Sequence, residues 1–386
     1  MDVTIVSSNL QRLRVAAGKS QAATAEAAGL SRVGYRNIET GQAEPRVATL
    51  QRIATALGVR LEDLLTPVRQ LDGVRFCAQK RMTSREELIT RVGGWLNDYA
   101  ELERLVGDQQ PFKFAKVRKQ LPALRGPDRA RAAAELARDA VGLKSDELIR
   151  DICGLLEDNG VKMLTPKVAS EGFFGLSVAD EDVGPAVVVN TWERISVERW
   201  IFTAAHELGH LLLHLGAYDA KQTEEDKAEE NEADVFAGHF LMPDEVFDRE
   251  LEEAKGLPFV SCVFKLKRIF RVSYRTVLYR ISTKMPPEDR QNIWRTFQRA
   301  YAAHAGVTLK RTDEPDGLAP DAFFGRPPDR GADEPEKLLA YDFVEDRLYR
   351  LVRRALETDA ITLHRGAKIL DKSLTEMRDL TASWVG

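Results

Sequence analysis

The sequence predicts a mainly α protein with a small β-sheet, an α+β fold divided into more than one domain. A chain of 386 residues is too long for one ordinary domain and favours two or three. Apolar residues recur at helical spacing through most of its length. Short apolar runs separated by turn residues, typical of strands, lie within residues 161–189. These three observations favour helical domains around one small sheet.

The composition indicates an intracellular protein with packed cores. The hydrophobic fraction of 44% is normal for a soluble globular chain, and no apolar run approaches the ~20 residues that a membrane helix needs. The first residues lack the basic and apolar regions of a secretion signal. Cys77, Cys153 and Cys262 are scattered, which suits a reducing compartment. We therefore expect a cytoplasmic protein, in which a net charge of −4 confines any nucleic-acid binding to one segment.

Residues 1–68 are predicted to form a five-helix domain. Apolar residues at helical spacing mark the first helix, and Gly29 ends an alanine-rich second helix as a C-cap residue. Ser31 is expected to be the N-cap of the third helix. The helices expected after the first cover residues 21–28, 31–39, 47–57 and 61–65. Pro67 is expected to end the unit.

The rest of the chain is predicted to hold a helical connector at residues 69–135, a second domain at 136–300 and a C-terminal region at 301–386. The expected strands are 161–164, 173–178 and 186–189, and the expected helices include 84–107, 198–214 and 224–240. Residues 309–337 are rich in Pro, Gly and Asp, which favours an exposed loop. The residues after this loop return to a helical pattern.

The most informative stretch is TAAHELGHLLLHLG, residues 203–216, an apolar helix that carries three histidines and a glutamate. A buried imidazole or carboxylate without a partner is costly, so these groups require partners. His206 and His210 are four residues apart on one helix face, so both can reach one Zn²⁺ ion. Glu207 is rotated by about 100° from His206. It is therefore expected beside the metal, where it can take a proton from a bound water.

The H-E-x-x-H pattern alone is short and also arises by chance, with histidines that are packed or exposed singly. A catalytic zinc site has three protein ligands and an open position for water. His214 follows His206 by eight residues, roughly 12 Å along a straight helix, which is too far to share a metal ion. We expect His214 to be structural or to line a cleft. Carboxylates at the acidic start of the next helix, residues 229–243, offer a better third ligand.

The two helices together resemble the ImmA/IrrE family of zinc metallopeptidases. The chain has IFTAAHELGH at residues 201–210 and ENEADVFAGHFLMP at 230–243, in the family's order and spacing. The segment FRVSYRTVLYRI, residues 270–281, is similar to a later family segment. The resemblance implies a zincin-like metallopeptidase domain with Zn²⁺ as its cofactor. The metal ligands that it implies are His206, His210 and Glu230.

The other acids near Glu230 have different expected roles. Asp234, one turn later, could accept the free N–H of a ligand histidine. Glu229 and Glu232 are close enough in sequence to remain alternative ligands. Glu207 is the expected catalytic base, which would pass the proton of the water to the leaving amine.

Three further expectations concern the surroundings of the metal. The run VVVN, residues 187–190, looks like the family's edge strand before the active-site helix and could pair with an extended substrate. His239 occupies a variable position of the family pattern and is expected on a helix surface. Tyr274 and Tyr279 are candidates to stabilise an oxyanion, on the ground of neighbourhood alone.

Residues 10–45 resemble the XRE/Cro-type helix-turn-helix family. They share its Ser-Gln pair at the start of the second helix, its glycine in the turn and its Ile-Glu-x-Gly segment. The resemblance implies a DNA-binding domain whose third helix enters the major groove of an operator. The side chains expected to contact base edges are Arg32, Val33 and Asn37, and those expected to contact phosphates are Gln21 and Arg36.

Charge favours this interpretation, and two positions depart from the pattern. Residues 1–69 carry nine basic and six acidic side chains, a net charge of +3 in a chain whose total is −4. Thr24 replaces an apolar residue of the second helix, and Gly34 costs up to about 1 kcal/mol relative to alanine inside the third helix. The alternative is a five-helix dimerisation module that does not bind DNA.

The sequence as a whole predicts a DNA-binding transcriptional regulator fused to a zinc endopeptidase, which cleaves a regulatory protein such as a repressor. Its expected partners are duplex operator DNA, the protein substrate and a second copy of the chain. The alternative function is a helix-turn-helix transcription factor or antitoxin-like repressor without proteolysis. In that case the metallopeptidase-like fold would serve as a sensor or ligand-binding domain.

Overall fold

The computed structural model consists mostly of helices around one small sheet. The described residues are 3–65, 71, 73–78, 85–121, 128–170, 172–179, 183–215, 226–310, 312–317 and 334–384. The chain divides into two compact units: the first holds Met1–Leu71 and Thr83–Asn97, and the second holds Asp72–Met82 and Asp98–Gly386. The predicted fold class, mainly α with a small sheet, is confirmed.

Five helices build the N-terminal part of the first unit, as the sequence predicts. They are α1 (Val3–Ala16), α2 (Gln21–Ala27), α3 (Arg32–Glu39), α4 (Val47–Leu57) and α5 (Leu61–Leu65). Ser20 and Ser31 are the N-caps of α2 and α3, and each accepts a hydrogen bond from the backbone N–H three residues later. Leu10 and Leu50 are fully buried in the core that joins these helices. Pro67 lies outside the described residues.

The two positions that depart from the helix-turn-helix pattern, Thr24 and Gly34, fit the observed packing. Thr24 is fully buried, and its hydroxyl donates a hydrogen bond to the carbonyl oxygen of Ser20 at 3.1 Å. The buried polar group is therefore satisfied. A Cβ at position 34 would lie 3.0 Å from the hydroxyl oxygen of Ser31, so glycine leaves this N-cap undisturbed.

The second unit contains a four-stranded sheet in the order β1-β3-β4-β2. The strands are β1 (Val74–Ala78), β2 (Lys162–Leu164), β3 (Phe173–Val178) and β4 (Ala186–Val189). β3 pairs antiparallel with β1 and β4, whereas β2 and β4 are parallel. The last three strands match the prediction. β1 does not, because its five residues fall in a segment that we expected to be a helical connector.

The position of β4 corrects one expectation. The run VVVN was expected to be an edge strand that could bind a substrate. β4 instead lies between β3 and β2, which occupy its backbone hydrogen-bonding groups on both sides. The edges of the sheet within the described residues are β1 and β2. Pairing between a substrate and β4 is therefore excluded in this structure.

Further helices lie between and after the strands along the chain. They are α6 (Arg85–Val106), α7 (Ala115–Gln120), α8 (Arg129–Ala140), α9 (Ile152–Glu157), α10 (Val197–Leu213), α11 (Lys227–Leu241), α12 (Asp244–Glu253), α13 (Phe259–Phe270), α14 (Tyr274–Thr283), α15 (Asn292–Ala305), α16 (Arg347–Glu357), α17 (Leu363–Ile369) and α18 (Leu374–Ser383). α10 packs against β3 and β4 on one side and against α8 and α11 on the other. The helix that carries the histidines is therefore at the centre of the second unit.

The segment expected to be an exposed loop is partly packed. Glu314 is largely buried and lies 2.8 Å from the ammonium of Lys267, which also contacts Glu198 at 2.5 Å. Arg268 donates a hydrogen bond of 2.6 Å to the carbonyl oxygen of Glu334. The expectation is thus wrong for Glu314 and Glu334, because two basic residues of α13 hold them, whereas residues 312, 316, 336 and 337 are exposed as predicted. Residues 318–333 lie outside the described part of the chain.

The C-terminal helices form a further core in the second unit. α16, α17 and α18 enclose Leu351, Val352 and Met377, together with Tyr99 and Leu102 from the end of α6. A short 3-10 helix, Ala340–Asp342, precedes them. The predicted return to helix after the loop is confirmed. Among the described residues, no helix has the length and apolar character required to cross a membrane.

Candidate metal centre and nucleic-acid interface

Three side chains from α10 and α11 converge on one point. The Nε2 atoms of His206 and His210 are 3.0 Å apart. One carboxylate oxygen of Glu230 lies 3.2 Å from His206 Nε2, and the other lies 3.1 Å from His210 Nε2. A tetrahedral ion with bonds of about 2.0–2.1 Å to nitrogen would hold its donors about 3.3 Å apart. The donor set therefore fits a small divalent cation.

The packing of α10 on α11 brings these donors together. Ser196 caps α10, which is buried along almost its whole length, and Glu230 lies in the first turn of α11. A Cβ at Gly209 would lie only 2.9 Å from the ring of Phe236 on α11. Because glycine has no Cβ, the two helices can approach closely at this point. The glycine between the two histidines thus helps to bring the carboxylate within reach of them.

The second ring nitrogen of each candidate ligand has a partner. His206 Nδ1 lies 2.9 Å from a carboxylate oxygen of Asp234, and His210 Nδ1 lies 2.9 Å from His214 Nδ1. His214 Nε2 in turn lies 3.0 Å from Glu232. If both Nε2 atoms bind a metal, each Nδ1–H donates to its partner, and His214 donates to Glu232. This chain of hydrogen bonds fixes the ring orientations that ligation needs.

Ionisation in the cluster also favours metal binding. Burial lowers the pKa of His210 well below its ordinary value, so the ring is neutral and can donate a lone pair. Burial opposes ionisation of Glu230, but hydrogen bonds with His206 and His210 outweigh it and lower the pKa of this carboxyl. Imidazoles and a carboxylate are the ligand types found in catalytic zinc sites.

Glu207 is fully buried beside the cluster and has one bonded and one unbonded oxygen. The hydroxyl of Ser177, on β3, donates a hydrogen bond of 2.7 Å to Glu207 Oε2. Glu207 Oε1 is buried without a hydrogen-bond partner among the described residues. Burial raises the pKa of Glu207 to about 7. A buried polar atom without a partner is costly, and a water on an adjacent metal ion would satisfy it.

A glycine on β3 makes room for this carboxylate. A Cβ at Gly175 would lie 2.6 Å from the methyl group of Thr203 and 3.1 Å from Glu207 Oε1. The close contact between β3 and α10 therefore requires glycine at this position. No sequence pattern indicates Gly175 or Ser177, because strand residues come next to the helix only through the fold.

Arg75 is a further component that the sequence did not indicate. It extends from β1, is 7% exposed and donates a hydrogen bond of 3.2 Å to Glu230 Oε1. The same guanidinium also pairs with Glu229. The two alternative acids thus have other partners, Arg75 for Glu229 and His214 for Glu232. Of the three glutamates, Glu230 is the one that converges with the histidines.

In the first unit, α3 presents the side chains expected to contact DNA. Arg32 and Arg36 are exposed, and Val33 is 67% exposed although it is apolar. Asn37 is half-buried on the same helix. An exposed valine between two exposed arginines is a surface suited to the methyl groups, base edges and phosphates of a major groove.

The inner face of α3 is held by a polar network. Arg14, on α1, forms two hydrogen bonds of 2.7 and 2.8 Å with the buried carboxylate of Glu39. Gln21, on α2, donates a hydrogen bond of 2.9 Å to the same carboxylate. The network joins three helices and fixes the orientation of α3. Gln21 was expected to contact phosphate, but its amide N–H is directed at Glu39 in this structure.

Comparison with known proteins identifies both parts of the chain. A family model described as helix-turn-helix matches residues 10–64, and a peptidase-family model described as the IrrE N-terminal-like domain matches residues 157–282. A relative, the SPbeta prophage-derived uncharacterized HTH-type transcriptional regulator YonR of Bacillus subtilis (strain 168), is 30% identical over 96 residues. These residues are 25% of this chain and 85% of that protein. The chain belongs to the helix-turn-helix transcriptional regulators.

This regulator carries an IrrE-like peptidase-family domain after its helix-turn-helix domain, so both resemblances are confirmed. The helix-turn-helix domain assigns DNA binding to the regulator. Its peptidase family is typically metal-dependent, and the cluster of His206, His210 and Glu230 lies within the matched residues. Glu207 and Asp234 lie there as well. Arg75 lies outside both matches, so only the structure connects it with the cluster.

One expectation near the candidate metal centre of the regulator needs correction, and the two candidate tyrosines differ in exposure. His239 is not a surface residue: its Nδ1 lies 3.0 Å from Asp244, and its Nε2 lies 3.0 Å from a guanidinium nitrogen of Arg280. α12 and α14, which carry these partners, cover the histidine. Tyr274 is buried and stacks on Phe297 with ring centroids 5.3 Å apart, whereas Tyr279 is 36% exposed. Tyr279 is thus the more accessible of the two tyrosines.

Arg75 is expected to strengthen metal binding by holding Glu230 in place. Arg75→Met removes both hydrogen bonds to the acids while keeping an unbranched side chain. Loss of a hydrogen bond to a ligand typically costs about 10–100-fold in metal affinity, so we expect weakening of at least about tenfold. The affinity would be measured by competition with a chromogenic chelator. The control is Arg299→Met, at an exposed position of α15, and equal affinities in the two variants would contradict the prediction.

Proposed function

We propose that this regulator is a zinc-dependent endopeptidase that cleaves a regulatory protein such as a repressor, joined to an operator-binding domain. The observation that carries the proposal is the convergence of His206, His210 and Glu230 beside a buried carboxylate, Glu207, that has one oxygen without a partner. A donor set with two histidines and one glutamate leaves a fourth position of a tetrahedral zinc ion open for water. This arrangement supports hydrolysis rather than a purely structural metal.

Each residue of the site has a separate task in the proposed reaction. Zinc bound by the three ligands would polarise a water molecule and the scissile carbonyl. Glu207 accepts the proton of that water and later donates it to the leaving amine. Burial raises the pKa of Glu207 in the metal-free site, which favours a carboxylate that can take up a proton. Ser177 holds one oxygen of Glu207 and leaves the other to accept the proton, and Asp234 and His214 orient the two imidazoles.

A zinc-dependent change in protein termini tests this proposal. The purified chain would be stripped with a chelator, reloaded with zinc or left metal-free, and added to a total protein extract. New N-termini would then be identified by mass spectrometry. We expect defined new termini in the zinc-loaded reaction alone. If zinc binds but no peptide bond is cleaved, the alternative function, a regulator that uses this domain as a sensor, is favoured.

We further propose that α3 reads an operator sequence and that two copies of the chain bind a two-fold-related site. The exposed side chains of Arg32, Val33 and Arg36 support this proposal, together with the net charge of the N-terminal residues. One small module forms few base contacts, and helix-turn-helix proteins commonly bind as dimers to half-sites one helical turn apart. The dimer and the operator are to be tested by selection of bound duplexes from a random pool.

Two substitutions on α3 are expected to affect DNA binding differently. Arg32→Ala should relax specificity at one base pair, at a cost of about 1–3 kcal/mol for the preferred base. Arg36→Ala should weaken all sequences about equally and reduce the log–log salt slope by about 0.9. Arg60→Ala, outside α3, is the control. Fluorescence anisotropy of matched and mismatched duplexes at several salt concentrations measures both effects, and identical behaviour of the two variants would contradict the assignment.

A further inference from the structure

A cleft of about 1140 Å³ lies beside the candidate metal centre. Its wall includes Asp234, whose carboxylate contacts His206, so the cleft reaches the edge of the centre. Pockets for drug-sized ligands measure about 300–1,000 Å³. The cleft thus has room for several residues of an extended peptide. The aromatic side chains that line it are Phe174, Trp192, Phe202, Tyr279 and Trp294.

Arg199 provides a fixed positive charge in this cleft. Its guanidinium carbon lies 4.5 Å from the ring centroid of Phe174 and 5.6 Å from that of Phe202. Both rings attract the cation through their faces and restrict its motion. Among the described residues, no carboxylate pairs with this guanidinium, and its Nε is buried without a hydrogen-bond partner.

The position of Arg199 is unfavourable without an anionic ligand. It lies in the first turn of α10, where the helix dipole repels a positive charge. The three acids that line the cleft have other partners. Asp234 contacts His206, Glu314 contacts Lys267, and Asp313 accepts a hydrogen bond from the backbone N–H of residue 310. None of these three acids forms an ion pair with Arg199, and two further arginines, Arg194 and Arg275, also line the cleft.

We infer that Arg199 selects substrates with an aspartate or glutamate side chain close to the bond to be cut. Arg199 precedes His206 by seven residues on α10, about 10 Å along the helix axis. An extended peptide advances about 3.3 Å per residue, so the acidic side chain belongs to about the third residue from that bond. The inference rests on the proposed function, because it names the substrate class of the same site.

The chemistry of the contact favours a carboxylate. A guanidinium offers two parallel N–H donors that match the two oxygens of a carboxylate. Because the rings of Phe174 and Phe202 already restrict the side chain, little conformational entropy is lost when the ligand binds. A free organic acid has the same charged group, so the test must separate a peptide from a small carboxylate.

Selection from a random peptide library tests the inference independently of catalysis. The bait is the zinc-loaded chain with Glu207→Gln, and the probe is a pool of displayed random heptapeptides. We expect enrichment of Asp or Glu at one position. Adding Arg199→Met should remove the enrichment and weaken binding of the selected peptide by about tenfold or more. Adding Arg199→Glu should shift the enrichment to Lys or Arg. Arg378→Met, at an exposed position of α18, is the control.

The outcomes separate this inference from the proposed function. The inference is overturned if the selected peptides show no preference for Asp or Glu. It is also overturned if the Arg199→Met variant keeps its zinc and still selects the same acidic position. The wild-type chain could bind the selected acidic peptides without cleaving them. In that case Arg199 still determines which peptides bind, and the proposed peptidase activity is overturned. If benzoate displaces the selected peptide and binds more tightly than the peptide, the cleft is a site for a small carboxylate, and the inference is overturned.

Discussion

We expect the purified chain to carry about one zinc ion per molecule and the His210→Ala variant to carry none. His210 is fully buried, contributes one of the three donors that converge among the described residues and is held by His214. Zinc binding free energies of about 10–16 kcal/mol in zinc-finger peptides correspond to several kcal/mol per ligand. Loss of one ligand should thus weaken binding on the order of a thousandfold.

Metal content by atomic emission and affinity by chelator competition measure this effect. His304→Ala is the matched control, because His304 is an exposed histidine of α15 in the same unit. It should retain the zinc content and affinity of the wild type. Stoichiometric zinc in the His210→Ala variant would show that the metal binds elsewhere. If the wild-type chain takes up no divalent metal at neutral pH, the proposed zinc-dependent endopeptidase is excluded.

The second large effect is expected from Glu207→Gln. This substitution keeps the shape of the side chain and removes the carboxylate that we propose to carry the proton. General acid–base catalysis typically contributes about 10²–10⁴-fold to a rate, so peptide hydrolysis should fall by this factor. Zinc content and DNA binding should be unchanged, because Glu207 is not among the converging donors and the helix-turn-helix domain belongs to the other unit. Glu288→Gln, at an exposed position, is the control.

The same substitution has a signature in the pH dependence of stability. Burial raises the pKa of Glu207 from an ordinary value of 4.5 to about 7. Between these values the folded, metal-free protein retains a proton that the unfolded chain has released, so the free energy of unfolding falls as pH rises. The free energy of unfolding of the Glu207→Gln variant does not fall in this way, because glutamine has no carboxyl proton to release. Above pH 7 the metal-free variant should be more stable than the wild type by up to about 3 kcal/mol. Urea unfolding at pH 5 and pH 8 with a chelator measures the difference, and parallel pH profiles would contradict the buried, protonated carboxyl.

Local patterns were sufficient to predict the helices and the histidine pair. The N-caps Ser20 and Ser31 and the helical spacing of apolar residues depend on contacts within a few positions, so α2 to α5 begin and end within one residue of their predicted limits. His206 and His210 share a helix face for the same reason. Glu230 was inferred from a family resemblance, because two separate helices carry no spacing rule between them.

Only the tertiary structure decided which groups surround these residues. Arg75 bonds to Glu230 across 155 positions, and Ser177 bonds to Glu207 across 30. Three other features depend in the same way on how distant elements pack. They are the position of β4 inside the sheet, the burial of His239 between two helices and the contact of the Arg199 guanidinium with an aromatic ring. Periodicity and capping express interactions along one element. Hydrogen bonds between elements depend on their distance and orientation in the folded chain, and no local pattern encodes these.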